Sequence, residues 1–390
     1  MKSNRMAFVL AAAAAMVTTG AMADAMRGVT EDTVVLGSHT DLSGPLAIWG
    51  KPSVDGARLR FEEANADGGV NGRQIEFLVE DTGYQVPQAV RATNKLVQRD
   101  GIFAMVLGAG TAQSLAGMEI TDRAGIPTLF PLTAARSVAA PTDPLHFSYF
   151  VSYQDQASGA LKYFHEKEGI GRVCLQTHSS EYGEENTEGV KDTADELGME
   201  VVLIGTHKPT ETDFAGAATA IKNAGCDMVY LGTTIKDTIA LYTTLRNLGY
   251  EGPIVGNMVS YVPVVAQAAS GAMDGYYAVS PVLIANYQHG DKARADFYEA
   301  YKARFGSEPT MQSQIGYVSA DLLVKAMEAA GRDLTVEKLT TALEEIKGYE
   351  DPFGGPTISF GPDKRFGGDS LVLVQVDGTA WKLLQENLPY

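Results

Sequence analysis

Positive charge is scarce in this sequence. Lysine and arginine together number 31 against 48 aspartate and glutamate residues, which gives a formal net charge of −17 at pH 7. A surface this acidic repels the phosphates of nucleic acids and the head groups of anionic lipids, and no block of lysine or arginine offsets it. We therefore expect no nucleic acid among the partners of this protein.

Long apolar segments are also scarce. Beyond the N-terminus, no run reaches the roughly 18 apolar residues that a membrane-spanning helix needs. At the N-terminus, Lys2 and Arg5 precede the short apolar run 6–17, and Ala21-Met22-Ala23 offers small residues around a cleavage site. This pattern predicts a signal peptide over residues 1–23, cleaved before Asp24 or, alternatively, at a shifted site within 24–26. We expect the mature chain to be exported and soluble, without a lipid anchor, because no cysteine stands at the cleavage site.

Cysteine is nearly absent, with Cys174 and Cys226 as the only two in 390 residues. Each stands at the start of an apolar, strand-like segment, where a buried free thiol is the ordinary interpretation. An oxidising compartment would permit a disulfide if the two sulfur atoms meet, so that the sequence leaves the bridge open as an alternative.

Signatures of catalysis and of cofactor binding are missing as well. The segment 108–110 reads Gly-Ala-Gly, but Gln113 stands where a dinucleotide-binding fingerprint requires its third glycine, and no acidic residue follows about 20 positions later. No Walker A, HExxH or GxSxG sequence occurs, and the six histidines show no metal-ligand spacing. We therefore expect no cofactor, no metal and no enzymatic activity, and an exported hydrolase is the disfavoured alternative.

Alternating strand and helix patterns fill the rest of the chain. Residues 33–131 predict four strands separated by three helices, the βαβαβαβ pattern of a parallel sheet with helices on both faces. The pattern restarts after a connecting strand predicted over 143–153, and late strands are predicted over 357–360 and 371–376. The chain is long enough for two domains. The predicted fold class is therefore α/β, with two Rossmann-like parallel-sheet lobes and a cleft lined by the carboxyl ends of their strands.

One strand-to-helix turn, within Phe103 to Glu119, is predicted to be a ligand cradle. Gly108 and Gly110 let the backbone turn sharply, and the start of the following helix offers unpaired N–H groups and a partial positive charge that favour a carboxylate. An ordinary turn is the alternative. Further polar and aromatic residues stand on predicted strand-end loops, where small ligands bind. They are Trp49, Ala109 to Ser114, Leu132 to Ala134, Tyr182, Gly183, Thr233, Thr234 and Met258 to Tyr261.

Several short motifs in a fixed order carry a family resemblance that covers residues 30–390. They are Leu42-Ser43-Gly44-Pro45 with Trp49-Gly50, Asp67-Gly68-Gly69-Val70-Asn71-Gly72, Glu80-Asp81-Thr82 with Pro87-Gln88-Ala89-Val90, Ala124-Gly125-Ile126-Pro127, and Tyr182-Gly183. In this order the chain resembles the periplasmic substrate-binding proteins of ABC importers, in the branched-chain amino acid (leucine/isoleucine/valine) binding family. The segment 358–363, Ile-Ser-Phe-Gly-Pro-Asp, resembles a branch often linked to aromatic and other organic acids.

The resemblance implies a type I periplasmic binding fold in which the chain crosses three times between two lobes, near residues 150, 282 and 357. One lobe would comprise 30–150 plus 283–356, and the other 151–282 plus 357–390. It also implies a monomeric periplasmic protein that delivers a small carboxylate-bearing solute to ABC permease subunits with their ATPases. A ligand-sensing receptor with the same fold is the alternative.

The resemblance also implies particular ligand contacts in the first lobe. Thr111, next to Ala109 and Gly110, falls where a hydroxyl and a backbone N–H group hold the ligand carboxylate. Trp49 falls at an aromatic wall. The segment formed by Leu132, Thr133 and Ala134 matches one whose carbonyl and hydroxyl groups meet the ligand amino group, but its hydroxyl position is occupied by Ala134.

In the second lobe, Tyr182 falls at the aromatic residue that closes over the ligand, and Thr234 replaces an aromatic. Met258 falls where amino-acid binders place a glutamate against the ligand ammonium. Because a desolvated ammonium without a counter-charge costs several kcal/mol, this departure matters. We therefore hypothesise a carboxylate-bearing ligand that need not be an α-amino acid, such as an aromatic or short organic acid.

Overall fold

The computed structural model describes residues 26–139, 143–285 and 292–390, so that the predicted signal peptide lies outside the described residues. Two sheets organise the chain. The first has five parallel strands, in the spatial order β2 (Gln74–Asp81), β1 (Thr33–Thr40), β3 (Ala104–Val106), β4 (Thr128–Leu129) and β5 (His146–Phe147).

The second sheet has seven strands. Their spatial order is β12 (Ala380–Gln385), β11 (Val372–Asp377), β10 (Tyr277–Ser280), β9 (Ile254–Gly256), β8 (Met228–Gly232), β6 (Arg172–His178) and β7 (Glu200–His207). All neighbours pair in parallel except β10 with β11 and β11 with β12, which are antiparallel. Two mostly parallel sheets with interleaved helices confirm the predicted α/β fold class.

Helices connect the strands in the described part of the chain. They are α1 (Ala47–Ala66), α2 (Val86–Asn94), α3 (Thr111–Arg123), α4 (Tyr153–Glu168), α5 (Glu181–Leu197), α6 (Ala215–Ala224), α7 (Ile235–Asn247), α8 (Pro263–Ala266), α9 (Lys292–Phe305), α10 (Met311–Ala330) and α11 (Val336–Glu344). Short 3₁₀ turns lie at Arg136–Val138 and Met258–Ser260. Within the described ranges, no helix combines the length and the apolar character that crossing a bilayer requires.

Three predicted elements are wrong in extent or type. The connecting strand over 143–153 is reduced to β5, because the Ser152 side chain accepts a hydrogen bond from the Asp155 amide and starts α4. The late strand over 357–360 is only an isolated bridge, in which Ile358 pairs with Tyr349 and Gly368. Finally, Pro52 in the sequence predicts the start of the first helix, because proline is typical of a first helical turn, but α1 begins at Ala47. Asp41 accepts hydrogen bonds from the amides of the loop that leads into the helix, and so starts it earlier.

The two cysteines form a disulfide bond, so that the free-thiol interpretation is wrong. Cys174 lies on β6, and Cys226 lies just before β8, with Cα atoms 5.7 Å apart. Because β6 and β8 are parallel neighbours, their amino ends bring the two residues side by side. The bridge crosses between adjacent strands of the second sheet.

Helices α1 and α10 cross with their backbones in contact. A Cβ atom added at Gly56 would lie 2.0 Å from the Ser313 carbonyl oxygen, and one added at Gly316 would lie 1.8 Å from the Ser53 carbonyl oxygen. Only glycine permits so close an approach. The chain thus returns to the neighbourhood of the first sheet after β10, before β11 and β12 complete the second sheet.

Candidate functional site

A cavity lies between loops that follow strands of the two sheets. Its lining consists of Leu46, Trp49, Tyr84, Ala109, Gly110, Thr111, Leu132, Tyr153, Tyr182, Thr234, Met258 and Val259. The space that a water-sized sphere can enter is about 20 Å³. This is room for about one water molecule, so the walls must move apart before the cavity can take up a larger solute.

Most of the ten ligand contacts that the family resemblance implies come together here. Eight of these ten residues line the cavity: Trp49, Ala109, Gly110, Thr111, Leu132, Tyr182, Thr234 and Met258. The other two lie just behind the wall. The Thr133 hydroxyl is 2.7 Å from the Thr111 hydroxyl, and the Ala134 carbonyl accepts a hydrogen bond from the Tyr153 amide at 2.8 Å.

Sequence reasoning missed Leu46, Tyr84 and Tyr153, whereas Val259 lies within the predicted strand-end segment Met258 to Tyr261. Tyr84 could have been predicted, because this residue follows β2 at the same edge of the sheet as the other strand-end loops. Tyr153 could not have been predicted, because the strand expected over 143–153 hid the start of α4.

The cradle predicted around Gly110 is a tight corner. Gly110 has φ +92°, and a Cβ atom there would lie 2.2 Å from the Gln113 side chain and 2.8 Å from the Tyr84 ring. Helix α3 begins at the next residue, Thr111, which is buried at the cavity wall. The first amides of a helix have no intrahelical partner, and they carry the positive end of its dipole. The corner therefore presents N–H groups and a hydroxyl, all suited to a carboxylate.

Tyrosine side chains fix the opposite wall. The Tyr153 and Tyr182 rings meet edge to face with centroids 5.0 Å apart, and the Asn257 side-chain amide donates to the Tyr182 hydroxyl at 2.8 Å. Burial raises the pKa of Tyr153 to about 12 and that of Tyr182 well above its ordinary value. Both phenols are therefore neutral at physiological pH and offer polarity without charge.

One hydrogen bond and two tyrosine side chains close the cavity. The Trp49 indole N–H group donates to the Val259 carbonyl at 3.2 Å and so joins α1 to the turn after β9. Tyr84 and Tyr182 lie between the cavity and an outer groove of about 730 Å³, and both residues line both spaces. Tyr84 has φ +59°, an uncommon conformation for a residue with a side chain. The pair thus forms the partition that a solute entering from the groove must pass.

Charged groups stand back from the cavity. In the part of the chain that the structure describes, none of the twelve lining residues carries a charge. Two lining residues donate hydrogen bonds to acids outside the cavity: the Leu46 amide to Asp41 Oδ2 and the Thr234 hydroxyl to Asp237 Oδ2, each at 2.7 Å. Asp237 also meets His178 and His207, and the three are buried. Sequence spacing does not reveal this cluster, because its members are 29 and 30 positions apart.

Comparison with known proteins gives matches along most of the chain. The model of a periplasmic binding protein family matches residues 33–380. The chain is 24% identical over 334 residues to the leucine-, isoleucine-, valine-, threonine- and alanine-binding protein of Pseudomonas aeruginosa, which covers 86% of this chain and 87% of that protein.

Solved structures show the same fold. A fatty acid ABC transporter substrate-binding protein from Thermomonospora curvata superposes with a TM-score of 0.82 at 24% identity, covering 93% of this chain and 94% of that one. A solute-binding protein of an ABC transporter from R. palustris, in complex with benzoate, superposes with a TM-score of 0.79 at 20% identity, covering 92% and 97%. The ligands in these names differ widely, so the fold alone does not choose among them.

Proposed function

Because this chain belongs to the periplasmic binding protein family, whose members bind ligands, we propose that it is the exported substrate-binding component of an ABC importer. In this proposal, residues 1–23 are removed on export, and one small carboxylate-bearing solute is captured between two lobes. The lobes are those expected from the sequence, 30–150 plus 283–356 and 151–282 plus 357–390. The loaded protein then docks on permease subunits that work with their ATPases.

The observation that carries the ligand class is the charge pattern of the cavity. Gly110, Thr111 and the start of α3 offer donors for an anionic group, and no lining residue among those described offers a carboxylate to an ammonium group. A buried ammonium without a counter-charge is strongly unfavourable. The site therefore favours a monocarboxylic acid with an apolar or aromatic body over an α-amino acid.

Capture requires a change of shape. The cavity of about 20 Å³ has no room for such a solute, so binding starts from a form in which the two walls are further apart. The ligand then favours closure because it contacts both walls, and each Å² of apolar surface that it buries contributes about 25 cal/mol. X-ray scattering with and without a verified ligand measures this change. Identical radii of gyration in the two states would contradict the closing of two lobes.

Matched ligand pairs test the substrate class most sharply. Leucine and 4-methylpentanoate differ only by the amino group, as do phenylalanine and 3-phenylpropanoate. Titration calorimetry is expected to show binding of the acids, with benzoate included, and weak or no binding of the amino acids. Tighter binding of leucine than of 4-methylpentanoate would overturn the acid preference but leave the binding-protein function standing. Absence of binding to every carboxylate in a broader thermal-shift screen would overturn the carboxylate proposal itself.

A variant of Met258 provides the matched control. Met258→Glu places a carboxylate where the resemblance to amino-acid binders expects one, and it is expected to weaken binding of the acid and favour the amino acid. Met258→Gln has a similar size without the charge, and it is expected to change the ratio of the two affinities far less. Equal ratios in the two variants would show that the charge at this wall does not select the ligand.

A further inference from the structure

Three potential metal ligands converge at the carboxyl edge of the second sheet. His178 is the last residue of β6, His207 is the last residue of β7, and Asp237 lies in the first turn of α7. The ligand atoms of the three side chains lie within 4.8 Å of one another, and all three residues are buried. The edge of a parallel sheet thus brings together residues that are distant in the sequence.

One of these ligand atoms has no hydrogen-bond partner. The Gln176 side-chain amide lies within hydrogen-bond distance of His207 Nδ1, at 3.0 Å, and Nε2 of the same ring is buried without a partner. It lies 3.6 Å from Asp237 Oδ2, which is beyond an ordinary hydrogen bond. Leaving a buried polar atom unpaired is unfavourable, so this atom indicates a missing contact.

We propose that His178 Nε2, His207 Nε2 and Asp237 Oδ2 bind one Zn²⁺ ion. Two imidazoles and a carboxylate are a donor set that zinc accepts in three-ligand sites, with a fourth position taken by water. Zinc bonds of about 2.0–2.2 Å to nitrogen and oxygen place neighbouring donors of a tetrahedron about 3.3–3.5 Å apart. Asp237 Oδ2 lies 2.7 Å from His178 Nε2 and 3.6 Å from His207 Nε2, and all three ligand atoms lie within 4.8 Å of one another. Changes of at most about 1.5 Å in these distances therefore complete the tetrahedral geometry.

The chemistry of the three side chains agrees with this assignment. When the ion binds at Nε2, each neutral imidazole carries its proton on Nδ1, so the proton that now joins His178 to Asp237 leaves His178 Nε2. The Gln176 side-chain amide, turned so that its oxygen faces the ring, then accepts from His207 Nδ1. The ion also gives His207 Nε2 the partner that it lacks.

The surroundings supply support and access. Gln176 contacts the far nitrogen of His207, and Thr234 donates to Asp237, so neighbours of both ligands fix their orientation. His178 also lines the outer groove of about 730 Å³, from which an ion and its fourth, aqueous ligand reach the cluster. The proposal is independent of the solute that the cavity binds.

Metal titration of the purified protein, exported by its host and free of any polyhistidine tag, tests the site. After treatment with a chelator and dialysis, Zn²⁺ is added in competition with a chromophoric chelator. One ion per chain is expected. His207→Gln and Asp237→Asn are expected to weaken binding by more than the roughly 10- to 100-fold that loss of an outer hydrogen-bond partner costs.

A second histidine–aspartate pair serves as the matched control. His146 Nε2 lies 2.8 Å from Asp122 Oδ1, but this pair belongs to no three-donor group among the described residues. His146→Gln is therefore expected to leave zinc binding unchanged. Failure of the unaltered protein to bind one equivalent of zinc, or retention of full affinity in both His207→Gln and Asp237→Asn, would overturn the proposal.

Cobalt gives a readout that does not depend on the folding of a variant. Co²⁺ bound by the three side chains and one water is expected to show the intense visible absorption of a tetrahedral ion. Zinc added afterwards is expected to remove this absorption. Only the weak absorption of a six-coordinate, hydrated ion would count against the site.

Discussion

The carboxylate of Glu185 accepts a hydrogen bond from the backbone N–H group of Arg136 at 2.8 Å, and a second one from Ser137 at 3.0 Å. Glu185 belongs to α5, which follows β6 of the second sheet. The 3₁₀ turn that begins at Arg136 follows β4 of the first sheet. The side chain is buried, so solvent screens these bonds little. These two hydrogen bonds, which we call the Glu185 latch, connect a helix that follows a strand of the second sheet to a turn that follows a strand of the first.

Removing this latch is expected to hinder closure. Glu185→Ala loses two hydrogen bonds to a charged group, each of which contributes about 1.5–3 kcal/mol, so ligand affinity is expected to fall at least about tenfold. Calorimetry with a verified ligand measures the loss. Asp192→Ala, two turns later on the same helix and exposed, is the control and is expected to keep the affinity. Equal affinities of the two variants would show that the latch does not contribute to closure.

The hydroxyl of Thr111 is expected to hold the ligand carboxylate. Thr111→Ala removes one hydrogen bond to a charged acceptor and is expected to weaken binding by about 1.5–3 kcal/mol, roughly 10- to 150-fold, in calorimetry. Thr111→Ser keeps the hydroxyl and is expected to stay close to the unaltered protein. If the alanine variant binds the verified ligand as tightly as the serine variant, the corner at Gly110 is an ordinary strand-to-helix turn.

Reduction of the disulfide is expected to destabilise the protein. Cys174 and Cys226 are 52 positions apart, and closing a loop of this length in the unfolded chain corresponds to about 4 kcal/mol in the chain-entropy treatment. Urea unfolding of the Cys174→Ala, Cys226→Ala double variant measures the loss of the free energy of unfolding. A reducing agent is expected to lower the midpoint of the unaltered protein and to leave that of the double variant in place. A midpoint insensitive to reduction in both proteins would contradict this expectation.

Acid is expected to destabilise the fold through His39. This ring is packed against Gly108 and Gly117, its Nδ1 atom has no partner, and burial lowers its pKa from 6.5 to about 4. Between these two values the unfolded chain binds a proton that the folded chain does not. The free energy of unfolding therefore falls by about 3 kcal/mol as the pH drops from 6.5 to 4.

Two measurements check the role of His39. Urea unfolding at several pH values is expected to show a steeper loss in the unaltered protein than in His39→Leu, which cannot titrate. The NMR signal of the His39 ring is expected to stay in its neutral form down to about pH 4. A ring that titrates near its ordinary pKa of 6.5 would refute the prediction without any variant.

Much of the fold was predictable because parallel strands covered on both faces are continuous apolar runs. Val173 to Leu175 on β6 and Met228 to Leu231 on β8 are fully buried or nearly so, and both segments stand out in the sequence. Strand β12 was missed because its side chains are mostly exposed and give no such run. The formation of an edge strand therefore depends on pairing with a neighbouring strand, which the local sequence pattern does not reveal.

The lining of the candidate cavity was predictable to the level of loops but not of single side chains. Thr111 and Tyr182 were selected, and line the cavity, because they follow strands at the same edge of their sheets. Which residue of a short turn faces inward depends on backbone angles that the sequence does not specify, and Thr133 consequently bonds to Thr111 behind the wall instead of lining the cavity. Contacts between sequence-distant groups, such as Glu185 with Arg136, were beyond local reasoning for the same reason.

The placement of β11 next to β10 has a consequence for the order of folding. Ser280 on β10 pairs with Val372 on β11, and the intervening chain includes α10, which packs on α1 beside the first sheet. Until the residues after β10 are synthesised, the second sheet lacks β11 and β12, and α1 lacks its partner α10. A nascent chain that ends after β10 therefore has an unpaired edge at this strand. Such non-local pairing makes folding slow. A chain of this topology is expected to stay unfolded longer after synthesis, which would favour the export that we propose for it.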